Sequence, residues 1–179
     1  MITVDGDYCP LCGTELDRRT VEGRTRRYCP TCDRVVWRNS KPVASVVVRD
    51  GDRVLLGRRD VDPHRGLWGV PGGNLEHDEH PATGAARELR EETGVRVDPA
   101  DLRLVRVDHV TTDRTSVVGV RFVVDRALTT GDPEARDETS AARFDTLAEF
   151  EADGGISPWN RDLLAAVVDG DADGDADAR

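Results

Sequence analysis

The sequence predicts an α/β domain over residues 39–168, preceded by a small cysteine module over residues 1–38. Three observations carry this. Residues 42–59 hold two apolar runs around a turn dipeptide, residues 81–93 hold one helix with start and stop signals, and all four cysteines fall before residue 33. Strand runs on both sides of a helix are the order of a layered α/β domain. The 179 residues suffice for one such core plus a small module.

The module comes first. Its cysteines stand as Cys9-Pro-Leu-Cys12 and Cys29-Pro-Thr-Cys32, two CxxC pairs separated by 16 residues. Each pair turns two sulfurs toward one point, and two such knuckles complete a tetrahedron that suits Zn²⁺. The alternative, two disulfides, is uncommon in a reducing compartment. Four thiolates leave no open coordination position, so the expected zinc is structural. The segment resembles a zinc ribbon, which folds only with its metal. Arg18, Arg19, Arg24, Arg26 and Arg27 cluster between the knuckles beside Tyr28. Nucleic-acid contact is one reading of them; a structural or dimerising module, and so a homodimer, is the other.

Pro42 to Arg59 reads as two strands around Asp50-Gly51, a hairpin turn signal. Val43, Val46, Val47 and Val48 belong to the first strand, and Val54, Leu55 and Leu56 to the second. Residues 60–77 are rich in Asp, Pro and Gly and read as a loop. Trp68 lies in it, either packed under the loop or stacked on a substrate. Arg58, Arg59 and Arg65 are candidate phosphate contacts or plainly exposed arginines.

Pro81 to Thr93 reads as a helix. Pro81 suits the first helical position and Gly94 the stop. Ala82, Ala85, Ala86 and Leu89 fall on one face, expected to pack on a sheet. Glu88 and Glu92 are four apart and point the same way, with Glu91 one position round. Crowded carboxylates repel unless a divalent cation sits among them, and hard oxygen ligands suit Mg²⁺ or Mn²⁺. A solvated acidic face is the alternative. Arg87 can hold Glu91 with its forked donors, and a pair with Glu79 would brace the preceding loop. Gly72 and Gly73 permit close approach of the backbone or expose a carbonyl to the metal.

Residues 102–110, 116–126 and 141–145 read as strands, 129–139 as a loop, and 146–153 as a short helix. Pro158 to Val168 reads as the last helix, capped by Ser157, with Leu163, Leu164, Val167 and Val168 as its apolar side. Residues 169–179, an aspartate-rich low-complexity stretch, are expected to be a disordered acidic tail. His64, His77, His80 and His109 have no ligand spacing to the acidic helix.

Net charge is −10 and Lys41 is the only lysine. Such a chain repels phosphate backbones at long range, which argues against a nucleic-acid partner. The acidity fits adaptation to high salt, or simply GC-rich codon usage. No apolar run is long enough to span a bilayer and no signal-peptide pattern opens the chain, so the expectation is a cytoplasmic protein with no membrane partner.

Glycine, five residues, Glu79, seven residues, Arg87-Glu88-Leu89, one residue, Glu91-Glu92, one residue, Gly94-Val95: this stretch from Gly73 resembles the Nudix box of the Nudix hydrolases at every defining position. The resemblance covers about residues 42–168. It implies an α/β/α sandwich with a mixed sheet and Mg²⁺-dependent hydrolysis of a nucleoside diphosphate linked to another moiety. It places metal ligands at Glu88 and Glu92 with the Gly72 carbonyl, and Glu91 either ligates or helps orient water. In several members the base lies in a later loop, where Glu138 is the candidate, with Glu134 and Asp137 as rivals.

A ribbon followed by this domain looks like the NADH, FAD and ADP-ribose pyrophosphatases. The NADH enzymes carry SQPWPFPxS after the box, and nothing between Val95 and Pro158 matches it. The expectation therefore moves toward ADP-ribose, FAD or a broader dinucleotide range. A (d)NTP-sanitising pyrophosphohydrolase and a non-catalytic, nucleic-acid-binding Nudix protein using its ribbon are the alternatives.

Overall fold

The computed structural model describes residues 6–112 and 115–170. Two compact units emerge: Met1–Lys41 with Val110–Val117, and Pro42–His109 with Val118–Arg179. The expected tail lies outside the described residues beyond Gly170.

The first unit is a three-stranded antiparallel sheet of β1 (Asp17–Val21), β2 (Arg24–Cys29) and β3 (Arg34–Val36) in that order. Gly23, with φ 74°, turns β1 into β2. Its small core is Cys9, Leu16 and Cys29, joined by partly buried Cys32 and Val36. So few apolar side chains offset little of the chain entropy of ordering the unit. Residues 110–117 fall in this unit, where the Ser40 and Ser116 hydroxyls meet at 2.6 Å.

The second unit is built on a mixed sheet. Its strands are β4 (Lys41–Asp50), β5 (Arg53–Arg59), β6 (Trp68–Gly69), β7 (Gly72–Asn74), β9 (Arg103–Thr111), β10 (Ser116–Asp125) and β12 (Thr139–Asp145). The order is β12-β5-β4-β10-β9, with β6 on β5 and β7 on β4. A separate pair joins β8 (Arg96–Val97) to β11 (Thr129–Thr130). Thus the stretch expected to be loop, residues 60–77, contains two short strands. They are too short to show a period-2 pattern.

Alternation along the strands sorts side chains to two faces. Ala44, Val46 and Val48 of β4, Leu55 of β5, and Phe122 and Val124 of β10 pack against Ala82, Ala85 and Leu89 of α1 (Pro81–Thr93). Val47, Val54, Leu56 and Val123 pack the other way. They meet Phe150 of α2 (Leu147–Ala152) and Leu163, Leu164 and Val167 of α3 (Arg161–Val168). Helices on both faces give the α/β/α sandwich. Leu89 is fully buried, and truncating it to Ala would cost about 2–5 kcal/mol. Ala86, expected on the packed face, instead stays partly exposed. It lines an open groove of about 440 Å³ with Thr83, Arg90, Arg96 and Pro99.

Ser157 does not cap the last helix. Its N–H donates to the Trp68 carbonyl at 2.8 Å, which ties residues 156–157 to β6. The helix starts three residues later behind Asn160, whose side chain is engaged by the Val70 N–H at 3.3 Å. Among the described residues no helix is long and apolar enough to cross a membrane.

Candidate functional site

The site is assembled where β7 meets α1. Register sets Ser45 of β4 opposite Gly72 and Ala44 opposite Gly73. A Cβ on Gly72 would overlap the Ser45 side chain and stand 2.5 Å from the Ala44 carbonyl. A Cβ on Gly73 would stand 2.5 Å from the Glu88 carboxyl carbon and Oε1. Glycine at 73 is what lets the backbone lie against that carboxylate. The helix is capped at both ends. His80 Nδ1 accepts from the Ala82 N–H at 3.3 Å, and Gly94, left-handed at φ 74°, donates its N–H to the Arg90 carbonyl.

Arg87 is the hub of the helix flank. Its Nε and Nη2 donate to the two oxygens of Glu79 at 2.8 and 2.9 Å. Nη1 donates to Glu88 Oε1 and Glu91 Oε2, both at 2.9 Å, and Nη2 also reaches the Asn74 carbonyl. The expected brace between loop and helix is therefore present, with Glu79 oriented toward Arg87. That guanidinium holds the Glu79 carboxyl below its usual range. Arg90 takes the other oxygen of Glu91 at 2.9 Å, so both Glu91 oxygens carry arginine donors.

Among the described residues no arginine or lysine side chain is bonded to Glu92. Its Oε2 accepts the Gly72 N–H at 3.1 Å. Burial pushes its carboxyl up to about 8, and the nearby charges of Glu88 and Glu138 add to the rise. Burial also raises Glu88 above the ordinary carboxylate range, against the pull of Arg87. Two carboxylates lifted chiefly by desolvation, each with acidic neighbours that add to the rise, suit a hard divalent cation that would offset those negative charges.

The loop after β11 reaches the same place. The Glu134 N–H donates to the Thr93 carbonyl, and the Arg136 N–H and Thr139 Oγ1 both donate to the Glu92 carbonyl. Glu138 is exposed and pairs with Arg59 at 3.5 Å, so the structure brings Glu138, Arg59 and Glu92 into one neighbourhood.

Two expected substrate contacts are placed otherwise. Trp68 is 0% exposed, tilted on Phe150 at 4.8 Å, with its indole N–H on the Asp153 carbonyl. Arg143 lies over its ring at 4.3 Å, so no ring face is open for stacking. Arg58 donates to the Gly66 carbonyl at 2.9 Å and pairs loosely with Asp153, which makes it a brace of the 60–67 loop. Sequence reasoning also passed over Arg121 and Ser45. The signal for Arg121 was a charged residue inside the apolar run of β10 at the parity of core residue Val123.

In the first unit, Cys9, Cys12, Cys29 and Cys32 present sulfurs that all lie within 4.8 Å of one another. Cys12–Cys29 and Cys9–Cys32 stand at 3.5 and 4.0 Å, and none is in a disulfide. Tetrahedral zinc thiolates, with Zn–S near 2.3 Å, require sulfurs ~3.8 Å apart, so the set fits the ion. It is the one group of three or more such ligand atoms that already converges among the described residues. Glu88, Glu91 and Glu92 share a flank without meeting at one point.

Known proteins resemble this chain in sequence and in fold. The model of the NUDIX domain matches residues 39–167. A MutT-like protein of Streptomyces ambofaciens is 52% identical over 64 residues, 36% of this chain and 40% of its own. An ADP-ribose pyrophosphatase of Methanocaldococcus jannaschii is 28% identical over 98 residues, 55% of this chain and 57% of its own. Less than two thirds of either relative is spanned. A NUDIX hydrolase crystal structure from Nitrosomonas europaea is similar over 94% of both chains, with 26% identity and a TM-score of 0.77. Box, sandwich and domain match coincide, and the chain belongs to the Nudix family.

Proposed function

We propose that the chain is a divalent-cation-dependent pyrophosphohydrolase that cleaves a nucleoside diphosphate linked to a second moiety, with ADP-ribose or FAD-like dinucleotides as the substrate class. The observation that carries this is the pair of partly buried carboxylates Glu92 and Glu88, both lifted in pKa chiefly by desolvation, on a flank organised by Arg87. A solvated acidic face would leave such carboxylates exposed. The ADP-ribose pyrophosphatase relative and the missing NADH motif favour the substrate class.

Glu88 and Glu92, with the Gly72 carbonyl, are the proposed ligands of Mg²⁺ or Mn²⁺. That cation would neutralise phosphate oxygens and acidify a bound water. Arg87 orients Glu88 and Glu91 and keeps their repulsion in check. Glu91, held by two arginines, is a poor base and a better orienting group. Glu138 is exposed, bonded only loosely to Arg59, and free to accept the proton as water attacks phosphorus in line. One P–O bond forms and the pyrophosphate bridge breaks, leaving two monophosphates, AMP and ribose 5-phosphate from ADP-ribose. Arg59 can contact the substrate phosphates from the same edge. Residues 1–38 serve as a structural zinc module, residues 39–168 as the hydrolytic domain.

The test is a product screen with Mg²⁺ over ADP-ribose, NADH, FAD, dinucleoside polyphosphates and dNTPs. Two monophosphates from ADP-ribose or FAD support the reading. Turnover confined to dNTPs replaces it. Within an active enzyme, Glu138→Gln should lower kcat by about 10²-fold with KM and Mg²⁺ dependence nearly unchanged. Should Glu91→Gln be dead with Mg²⁺ binding intact while Glu138→Gln is wild type, the base belongs on the helix.

A further inference from the structure

Arg121 is a buried cation that the proposed chemistry does not use. It is 9% exposed on β10. Its Nε and Nη2 donate to the two oxygens of Asp108 on β9, at 3.0 and 3.1 Å. The remaining amino group, Nη1, donates to Ser45 Oγ on β4 at 3.1 Å, where Ser45 is 3% exposed. Room is kept for this cluster: a Cβ on Gly119 would overlap the Asp108 carboxylate and stand 2.5 Å from Arg121 Nη2.

An ion pair with a buried guanidinium and a partly buried carboxylate is a costly way to fill space, because apolar residues of equal volume often fold as well or better. What the pair supplies is a fixed direction. Its forked geometry aims one donor at one hydroxyl. That hydroxyl belongs to the residue on which the metal-site loop is laid. Ser45 is the register partner of Gly72, and the adjacent Val46 N–H bonds to the Pro71 carbonyl at 3.2 Å. Gly72 packs its bare Cα on the Ser45 side chain and sends its own N–H to Glu92 Oε2 at 3.1 Å.

Resting on the metal-site reading above, we propose that Arg121 is a positioning residue. Clamped by Asp108, it anchors Ser45, and Ser45 fixes the Gly72 peptide that orients Glu92 for the divalent cation. Arg121 touches neither cation nor substrate in this account. It acts through two hydrogen bonds and one backbone register.

The experiment measures Mg²⁺ binding by calorimetry, and Tm, for the full-length zinc-loaded wild type, Ser45→Ala and Arg121→Lys. Ser45→Ala removes only the acceptor and leaves the Arg121–Asp108 pair intact. Arg121→Lys keeps the charge but loses the fork. Supporting groups behind metal ligands typically contribute 10–100-fold in affinity, so both variants should bind Mg²⁺ about 10-fold more weakly. Wild-type turnover should return at excess Mg²⁺, which a general loss of folding would not allow. Glu92→Gln serves as the reference for loss of a ligand. If the wild type binds Mg²⁺ and Glu92→Gln does not, but Ser45→Ala binds like wild type, the positioning role is overturned while the metal site stands. If the wild type itself binds no Mg²⁺, the metal-site reading fails and the positioning role falls with it.

Discussion

The backbone of Gly73 lies flush against the carboxyl group of Glu88, with no room for even a methyl group between them. Gly73→Ala should therefore act on Glu88 rather than on the backbone. The new Cβ must displace a carboxylate that Arg87 also holds. Mg²⁺ affinity should fall by about tenfold or more while Tm changes little, since ligand misplacement costs more in binding than in folding. Calorimetry beside thermal unfolding checks this, and an alanine variant with wild-type Mg²⁺ binding would exclude Glu88 as a ligand.

The metal site should also respond to pH, with a sign set by Glu92. Its carboxyl is raised to about 8, chiefly by burial. Without a divalent cation the folded protein holds that proton more tightly than the unfolded chain does. Its contribution to stability is full below the ordinary carboxylate pKa and is lost as pH rises through about 8. A cation must displace the proton, so Mg²⁺ affinity should rise about tenfold per unit up to pH 8 and then level. Titrating Mg²⁺ at pH 6, 7, 8 and 9 in chelator-free buffer reads this. An affinity flat across that range would mean that Glu92 is not the proton that competes.

Zinc should matter to one unit and not the other. Cys29 is fully buried with its sulfur 3.5 Å from that of Cys12. Cys29→Ser should lose zinc and unfold the strands of residues 17–36, whose core is three side chains. The larger unit keeps its own two apolar faces and should stay folded. Elemental analysis with hydrogen exchange separates the units. A wild type without zinc, or a variant that unfolds throughout, would contradict the division.

What the sequence made legible was whatever is local. Pro81, Gly94 and the four-residue spacing of Glu88 and Glu92 mark one helix and one flank, and both are found. The pair of Glu79 and Arg87 was legible because a loop and the helix it precedes must meet. The features missed depend on distant partners. Ser157 looks like a cap until its pairing with Trp68 holds it back and the helix begins behind Asn160, and of the two readings open for Trp68 its enclosure by Phe150, Asp153 and Arg143 selects packing under the loop. Strands of two or three residues, such as Trp68–Gly69 and Gly72–Asn74, carry no periodicity to read. Arg121 needed Asp108 on another strand before its burial made sense.

Glu92→Gln tests the central claim, that the partly buried carboxylates of this helix hold a divalent cation for pyrophosphate hydrolysis. The side chain keeps its size and loses its charge. Turnover of the best substrate at saturating Mg²⁺ should fall by at least about 10²-fold, because metal-assisted charge stabilisation contributes several kcal/mol to the transition state. Tm in magnesium-free buffer should hold near pH 7, where the Glu92 carboxyl already carries its proton, and rise above about pH 8, where the wild type must ionise a desolvated carboxyl and the amide need not. Near wild-type turnover at saturating Mg²⁺, with the variant folded, would contradict the account.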